Sequence, residues 1–415
     1  MAGRLRFVAP AGAPIRATDL VKAAGFPLAG RGVVSRLGGE IRRRFGVKHV
    51  YLTSTGRAGM TILLRSLRHG ADAGRNEVIL PSYTCYSVAA SVVKAGLRPR
   101  LVDIDPATLD YHADQLEATD FSRALAIVAC NLFGLPNDMP SLRRLARRHG
   151  LFLIDDAAQA MGARIAGEWS GTAGDIGLFS FDKGKNVSAI DGGVIVTNDD
   201  ALAISLEREC ESLPAPGVGE ISSQMLKGLI YSVFLRPSLY WIPNSLPQLG
   251  LGTTVFTTDF PLETPSRFLT ALAGETLPRL PELTRTRTTN ATALIGALRT
   301  IPGVDFISPR ADASPAFLRL PVLLPDSETR DRALVALTSA GIGASRSYPA
   351  SLADVPQLQP GVGAVTGMMG GRGVALRILT LPTHPYVGAD DIARIAAVLR
   401  VELERRQYRQ ASPAA

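Results

Sequence analysis

The chain has 415 residues, 46% of them hydrophobic and 20% charged, with a formal net charge of +8. That length and apolar content exclude a disordered or fibrous protein and call for a large core shared between one large and one smaller domain. The cations are mostly arginines spread over helix-like stretches such as 42–44 and 143–148, with no interleaved aromatics, so solvated helix faces are expected rather than a nucleic-acid platform.

In chain order, residues 1–25 read as an N-terminal arm. Pro10, Pro14 and Arg16 follow Arg4 and Arg6 and interrupt any apolar run, which argues against a secretory signal and for cytoplasmic residence. Cys85, Cys130 and Cys210 form no CxxC pair and do not cluster with the five histidines, so a reducing compartment and no metal centre are expected. From 47 to 199 strand-like apolar runs alternate with amphipathic helical stretches, the rhythm of a parallel sheet flanked by helices. After Asp138, an N-cap, the pattern predicts a helix with Pro140 in its first turn and Gly150 as its stop. The next run, Leu151 to Ile154, is apolar on both faces and predicts a central strand. Asp155 and Asp156 then fall at its carboxyl end, where open α/β sheets hold ligands.

Past Asn198 a helix is expected over 201–211, followed by an insertion at about 212–260 that closes a large domain spanning 26–265. Three prolines between 237 and 258 make a membrane-spanning helix improbable. A smaller α+β domain is expected over 266–409, with a strand in FLRLPVLL, a helix over 328–340, RILTLPTHP and a terminal helix over 390–405. Residues 410–415 read as a disordered tail.

Three stretches carry chemistry. Lys185, in the run Phe179 to Asn186, has an ε-amine that can condense with an aldehyde cofactor and move a proton once released; Lys183 competes for that role. Asp156 can keep a pyridine nitrogen protonated and Gln159 can hydrogen-bond a phenolic oxygen, although Asp155 or Asp156 can equally serve as the N-cap of the Ala-Ala-Gln-Ala segment that follows. Thr55, Gly56, Arg57 and Ala58 lie between a strand and a helix, where backbone amides favour a phosphate dianion, and Ser180 adds a hydroxyl. Together these are the parts of a pyridoxal 5'-phosphate site.

At these residues the chain resembles the DegT/DnrJ/StrS-type nucleotide-sugar aminotransferases, pyridoxal-phosphate-dependent enzymes of fold type I. The family's Ser-Gly-Thr-Ala-Ala corresponds to residues 55–59, its Pro-Ser-Tyr-Thr stretch to PSYTCYSVAASVVKAGLRPRLVDIDPATLD, its Leu-Tyr-Gly-x-Pro-x-Asp-Met to LFGLPNDM, its Asp-Ala-Ala-Gln to 156–159 and its Phe-Ser-Phe-x-x-x-Lys-Asn to 179–186. The resemblance implies a large cofactor-binding domain with a mixed, mostly parallel sheet. It selects Lys185 over Lys183 and Asp156 over Asp155, and assigns phosphate binding to Ser180. It further implies a homodimer with shared active sites and ping-pong transfer from an amino-acid donor, L-glutamate, to a carbonyl acceptor.

Departures from the family bear on substrate. Arg57 stands where a hydroxyl residue is usual and either adds a guanidinium to the phosphate site or binds an anionic substrate, Asn131 replaces a histidine, and Cys85 takes the place of an aromatic that stacks on the cofactor, with Tyr86 beside it as a substitute. The family's Asn-Tyr-Arg-Met-Ser element, which reaches the neighbouring subunit's site, reads Leu262-Glu263-Thr264-Pro265-Ser266. Upstream of it, the apolar stretch 228–252 is expected as a packed lid or dimer contact, with a greasy acceptor's wall or membrane-surface contact as the sharper reading. The expected activity is amination of a keto-sugar nucleotide. The rivals are a cyclitol or a lipid- or carrier-linked carbonyl as acceptor, and a cofactor-binding regulatory protein without catalysis. A nicotinamide dehydrogenase is disfavoured because no GxGxxG opens a helix after the first strand.

Overall fold

Seven short apolar runs form the central sheet of the computed structural model, which describes residues 6–25, 32–246, 255–358 and 367–411. Helices α1 (Ala17–Gly25) and α2 (Gly32–Phe45) precede it. Then come β1 (His49–Thr53), α3 (Gly56–Arg68), β2 (Glu77–Pro81), α4 (Tyr86–Lys94), β3 (Arg98–Val102), α5 (Ala113–Glu117), β4 (Ala124–Cys130), α6 (Met139–His149) and β5 (Phe152–Asp156). The short pair β6 (Arg164–Ile165) and β7 (Glu168–Trp169) leads into β8 (Ile176–Ser180) and β9 (Gly193–Thr197).

The strand order is β1-β9-β8-β5-β4-β2-β3. Only β9 runs against its neighbours, pairing antiparallel with β1 and β8, while β8, β5, β4, β2 and β3 are mutually parallel. Every residue of β2, β4, β8 and β9 is buried, because helices cover both faces and no face is left for polar alternation. The expected helix after Asp138 is α6: the Asp138 carboxylate accepts from the Ser141 N–H at 3.0 Å, and Gly150 closes the helix in the left-handed conformation that glycine adopts without penalty.

Helix α7 (Asp200–Glu211) is followed by α8 (Val218–Phe234) and α9 (Trp241–Asn244) from the insertion. Gln224 and Gly228 turn α8 toward the protein, and a Cβ on Gly228 would stand 3.1 Å from Leu20, so the absence of a side chain lets α8 approach α1. The opposite face is exposed: Leu226 and Leu229 are more than half accessible and Ile230 nearly so. Among the described residues that face is open to solvent rather than packed as a lid. No helix among the described residues is long and apolar enough to cross a membrane. Residues 247–252 of the expected apolar stretch lie outside the described residues.

Helix α10 (Arg267–Thr276) follows, N-capped by Ser266, and its apolar residues Phe268, Leu269 and Leu272 join the core around Leu37 and Phe181. Beyond it lie α11 (Leu280–Leu298), β10 (Asp305–Phe306), β11 (Ala313–Ser314), β12 (Arg319–Leu323), α12 (Ser327–Ser339), α13 (Met369–Arg377), β13 (Ile378–Pro382) and α14 (Ala389–Ala411). A three-stranded sheet ordered β10-β12-β13 anchors this part, with α12 and α14 packed together. The terminal helix runs to residue 411, so 410 and 411 are helical and not tail; the expectation for 412–415 falls outside the described residues.

The N-terminal arm ties the two parts together. Val8 bridges to Ile342, the Phe7 N–H donates to the Pro237 carbonyl, and Arg6 pairs with buried Asp391 at 2.6 Å. His384 lies 2.7 Å from the Ala9 carbonyl, and burial pushes its pKa down to about 4.

Candidate active site

Parallel strands end with their carboxyl termini along one edge of the sheet, and a cavity of about 310 Å³ opens there. Asp156 closes β5 and Ser180 closes β8, and both side chains line the cavity. The pairing of β5 with β8 sets Asp156 opposite Leu178, two residues before Ser180. Helix α3 supplies another wall with Thr55, Gly56 and Arg57 at its N-terminus.

The two aspartates have separate duties. Asp155 turns away from the cavity, where its carboxylate accepts from the Asn131 side chain at 2.7 Å and from the Gly171 and Ala173 N–H groups at 2.7 and 3.0 Å. Burial pushes it up to about 6 against those bonds. Asp156 faces the cavity and accepts from the Ala158 N–H at 3.0 Å. Burial raises its pKa, opposed by that bond and by the charge of Lys185, which lines the same cavity. The helix expected after Asp156 does not form; residues 158–162 make turns, so the side chain caps a turn. Lys183 is exposed and off the cavity wall, whereas Lys185 is half-buried on it.

Gln159 reaches the wall with both ends of its amide engaged: it accepts from the Phe133 N–H at 3.0 Å and donates to the Tyr348 hydroxyl at 2.6 Å. At α3, Thr55 is the N-cap and accepts from the Ala58 N–H at 2.9 Å. Ala58 itself is buried behind that turn and does not line the cavity, contrary to expectation, because its amide is spent on the cap. Gly56 is required by proximity: a Cβ there would come within 3.2 Å of the Ser180 Oγ and fill the space between helix terminus and strand end. Cys85 lines the wall, with its sulfur 2.9 Å from the Ser87 Oγ. Tyr86 does not. It starts α4 pointing to the opposite side, where its hydroxyl accepts from the Ala350 N–H at 2.9 Å and donates to the Ala350 carbonyl at 3.1 Å.

Several wall residues have roles that sequence reasoning did not assign. Asn131 clamps the ends of β4 and β5, donating also to the Asp156 carbonyl at 2.9 Å. Asp182 and Asp191 both line the cavity, and burial together with the neighbouring Asp182 charge pushes Asp191 up to about 7. The Gly192-Gly193 pair after Asp191 was the available signal for a backbone packed closely against α3, since a Cβ on Gly193 would collide with the Thr55 carbonyl. Tyr348 is 189 residues from Gln159 and had no signal.

The insertion returns over the cavity mouth. Val255 lines the cavity and is 71% exposed, and the Ser54 N–H donates to the Glu263 carbonyl at 3.1 Å. Phe260 is buried, with the Arg57 guanidinium 5.1 Å and the Lys94 ammonium 4.7 Å from its ring centre. A buried acid facing an amine, with a helix N-terminus and a serine hydroxyl across a gap that a Cβ would close, suits an aldehyde-bearing pyridine with a phosphate tail.

Comparisons agree with that chemistry. The family model of the DegT/DnrJ/EryC1/StrS aminotransferases matches residues 29–400. The chain is 30% identical over 364 residues, 87% of its own length and 86% of the relative's, to UDP-N-acetyl-3-dehydro-alpha-D-glucosamine 3-aminotransferase of Acidithiobacillus ferrooxidans. It is 40% identical over 161 residues to GDP-perosamine synthase of Caulobacter vibrioides, covering 39% of this chain and 43% of that one. Among solved structures, the aminotransferase TlmJ from Streptoalloteichus hindustanus superposes with a TM-score of 0.77 at 24% identity, covering 96% of this chain and all of that one.

Proposed function

The chain belongs to the DegT/DnrJ/EryC1/StrS aminotransferase family and so is a pyridoxal-phosphate-dependent aminotransferase; from this premise we propose that it moves an amino group from L-glutamate to the carbonyl of a keto-sugar nucleotide, by a ping-pong sequence, in the cytoplasm. The observation that carries this reading is the gathering of Lys185, Asp156, Ser180 and the N-terminus of α3 around one cavity. The sugar-nucleotide class is supported by the relative from Acidithiobacillus ferrooxidans, whose name places its amination on a UDP-linked dehydro sugar. The non-sugar and non-catalytic readings are not favoured.

Pyridoxal phosphate supplies an aldehyde and an electron-accepting ring when bound. In this reading the Lys185 Nζ would hold the group through its aldehyde and, as a free amine, would carry a proton to and from the substrate carbon. Asp156 would hold the ring-nitrogen proton; burial raises its pKa, and the Ala158 N–H and the Lys185 charge work against that rise. Thr55, Gly56 and Ser180 take the phosphate, and Gln159, fixed by Tyr348 and Phe133, sets the ring's orientation. A homodimer with shared sites belongs to this reading, and sedimentation at the mass of one chain removes it.

The test is turnover of purified enzyme with L-glutamate and a panel of UDP-, GDP- and dTDP-linked keto sugars, read as release of 2-oxoglutarate. Release only with cyclitol or other non-sugar ketones overturns the acceptor class.

A further inference from the structure

Among the described residues two cations line the cavity, Lys185 and Arg57. Lys185 is committed to the cofactor in the reading above, which leaves Arg57 without a task. Its guanidinium carbon lies over the Phe260 ring, 5.1 Å from the ring centre, and Phe260 is only 6% exposed. Lys94 addresses the same ring at 4.7 Å but is already engaged, donating to the Thr258 carbonyl at 3.0 Å. No Arg57 side-chain N–H has a hydrogen-bond or ion-pair partner among the described residues, and Asp191, which feels its charge, makes no ion pair with it. A guanidinium placed over an aromatic ring, partly withdrawn from water and with its N–H groups unengaged among the described residues, is prepared for an oxyanion.

The position of that guanidinium narrows the choice of anion. The cofactor's phosphate already has a cup between Gly56 and Ser180 at the buried end of the cavity. Arg57 instead leans on the return limb of the insertion, the limb that also contributes exposed Val255 to the mouth. An acceptor must cross that mouth with its carbonyl inward and its leaving end outward, which brings a diphosphate past the unengaged guanidinium.

We propose that Arg57, braced by Phe260, clamps a phosphate oxygen of the acceptor's diphosphate and so selects phosphate-bearing acceptors. The proposal rests on the keto-sugar-nucleotide reading. The clamp is formed within one chain, from α3 and the insertion.

Calorimetric titration of the cofactor-loaded enzyme with UDP, GDP and dTDP tests it without turnover, alongside fluorescence titration of the apoenzyme with pyridoxal phosphate. Arg57→Met should weaken nucleoside diphosphate binding by about 10-fold or more, with Arg57→Lys in between because the charge survives and the fork does not. Phe260→Leu should weaken it by about threefold through loss of the brace. Pyridoxal phosphate affinity of the apoenzyme should stay within about twofold for all three variants, since their change lies outside the phosphate cup. Wild-type binding that Arg57→Met leaves intact overturns the clamp alone. Loss of pyridoxal phosphate affinity in Arg57→Met with nucleotide affinity retained makes Arg57 a cofactor ligand and also overturns it. Wild-type enzyme that binds none of the three nucleotides overturns the sugar-nucleotide reading and the clamp with it.

Discussion

The floor and the mouth of the cavity are held in place by different means. The floor is strand ends: Asp156 and Ser180 are placed by register in a sheet whose strands are buried on both faces, and Asp155 straps the neighbouring loop from below. The mouth is a returning loop, held by Arg57 and Lys94 on Phe260 and by the bond from the Ser54 N–H to the Glu263 carbonyl. A sheet end cannot shift without breaking a ladder of hydrogen bonds, whereas a loop held by a few side chains can be rebuilt while the floor stays put. In the proposed reading the floor carries the chemistry common to any acceptor and the mouth the choice of acceptor.

The largest expected effect separates Lys185 from its neighbour. Lys185→Ala should lower transamination by at least about 10^3-fold, and Lys183→Ala should change it by less than about twofold. Borohydride reduction of the loaded enzyme followed by peptide mapping checks this independently, and an adduct on Lys183 contradicts the assignment. Next, Asp156→Asn should slow glutamate-driven conversion of the bound cofactor by about 10^2-fold, whichever acceptor is later supplied. Asp155→Asn should act on stability instead, costing about 1 to 3 kcal/mol, because the Gly171 and Ala173 amides lose a charged acceptor. Single-turnover absorbance and thermal melting separate the two outcomes. If both aspartates affect only the melt, the division of labour on the floor is wrong.

The arm supports the floor from behind, since buried Arg287 donates both to the Gly12 carbonyl at 2.8 Å and to the Lys185 carbonyl at 3.2 Å. Burial pushes the pKa of its latch, His384, down to about 4 in the fold from about 6.5 when unfolded. Above pH 6.5 both states are neutral. Between 6.5 and 4 only the unfolded chain takes up the proton, so this contribution falls as pH falls, by about 3 kcal/mol in total, and levels off below 4. The difference in denaturant stability between wild type and His384→Gln should show this slope over that range, whereas the wild-type curve alone also carries the opposite contributions of Asp155 and Asp191, which burial pushes up to about 6 and about 7. The smallest effect belongs to the insertion's outer face: Leu226→Gln with Leu229→Gln should move stability by less than about 0.5 kcal/mol, because both side chains are already in water. A larger loss on melting the purified enzyme would show that the face is packed in the working assembly.

Much of the floor was legible in the chain. An apolar run ending in Asp155 and Asp156 predicts a buried strand with acids at its carboxyl end, and β5 supplies that strand. Residues 55–58 read as the turn from a strand into a helix, and they join β1 to α3; that Thr55 caps the helix was seen only in the structure. Tyr86 was harder: its closeness to Cys85 in sequence suggested a shared wall, but Cys85 precedes the first turn of α4 and Tyr86 begins it, so the two side chains diverge. The partnership of Gln159 with Tyr348 and the meeting of Arg57 with Phe260 join residues about two hundred positions apart, and no local pattern encodes such distances.

By itself the sequence determined the alternation of strands and helices, the acids at a strand end, the phosphate-favouring turn and the lysine, because each depends on residues within a few positions of one another. The choice of Asp156 over Asp155 and of Lys185 over Lys183, which local pattern left open and the family register selected, shows in the structure as which side chains line the cavity, and tertiary structure alone decided that an insertion unlike the family's usual element folds back to place Phe260 under Arg57. The physical reason is that burial and charge pairing depend on which elements meet across the fold, and that is settled by packing rather than by local chain preference.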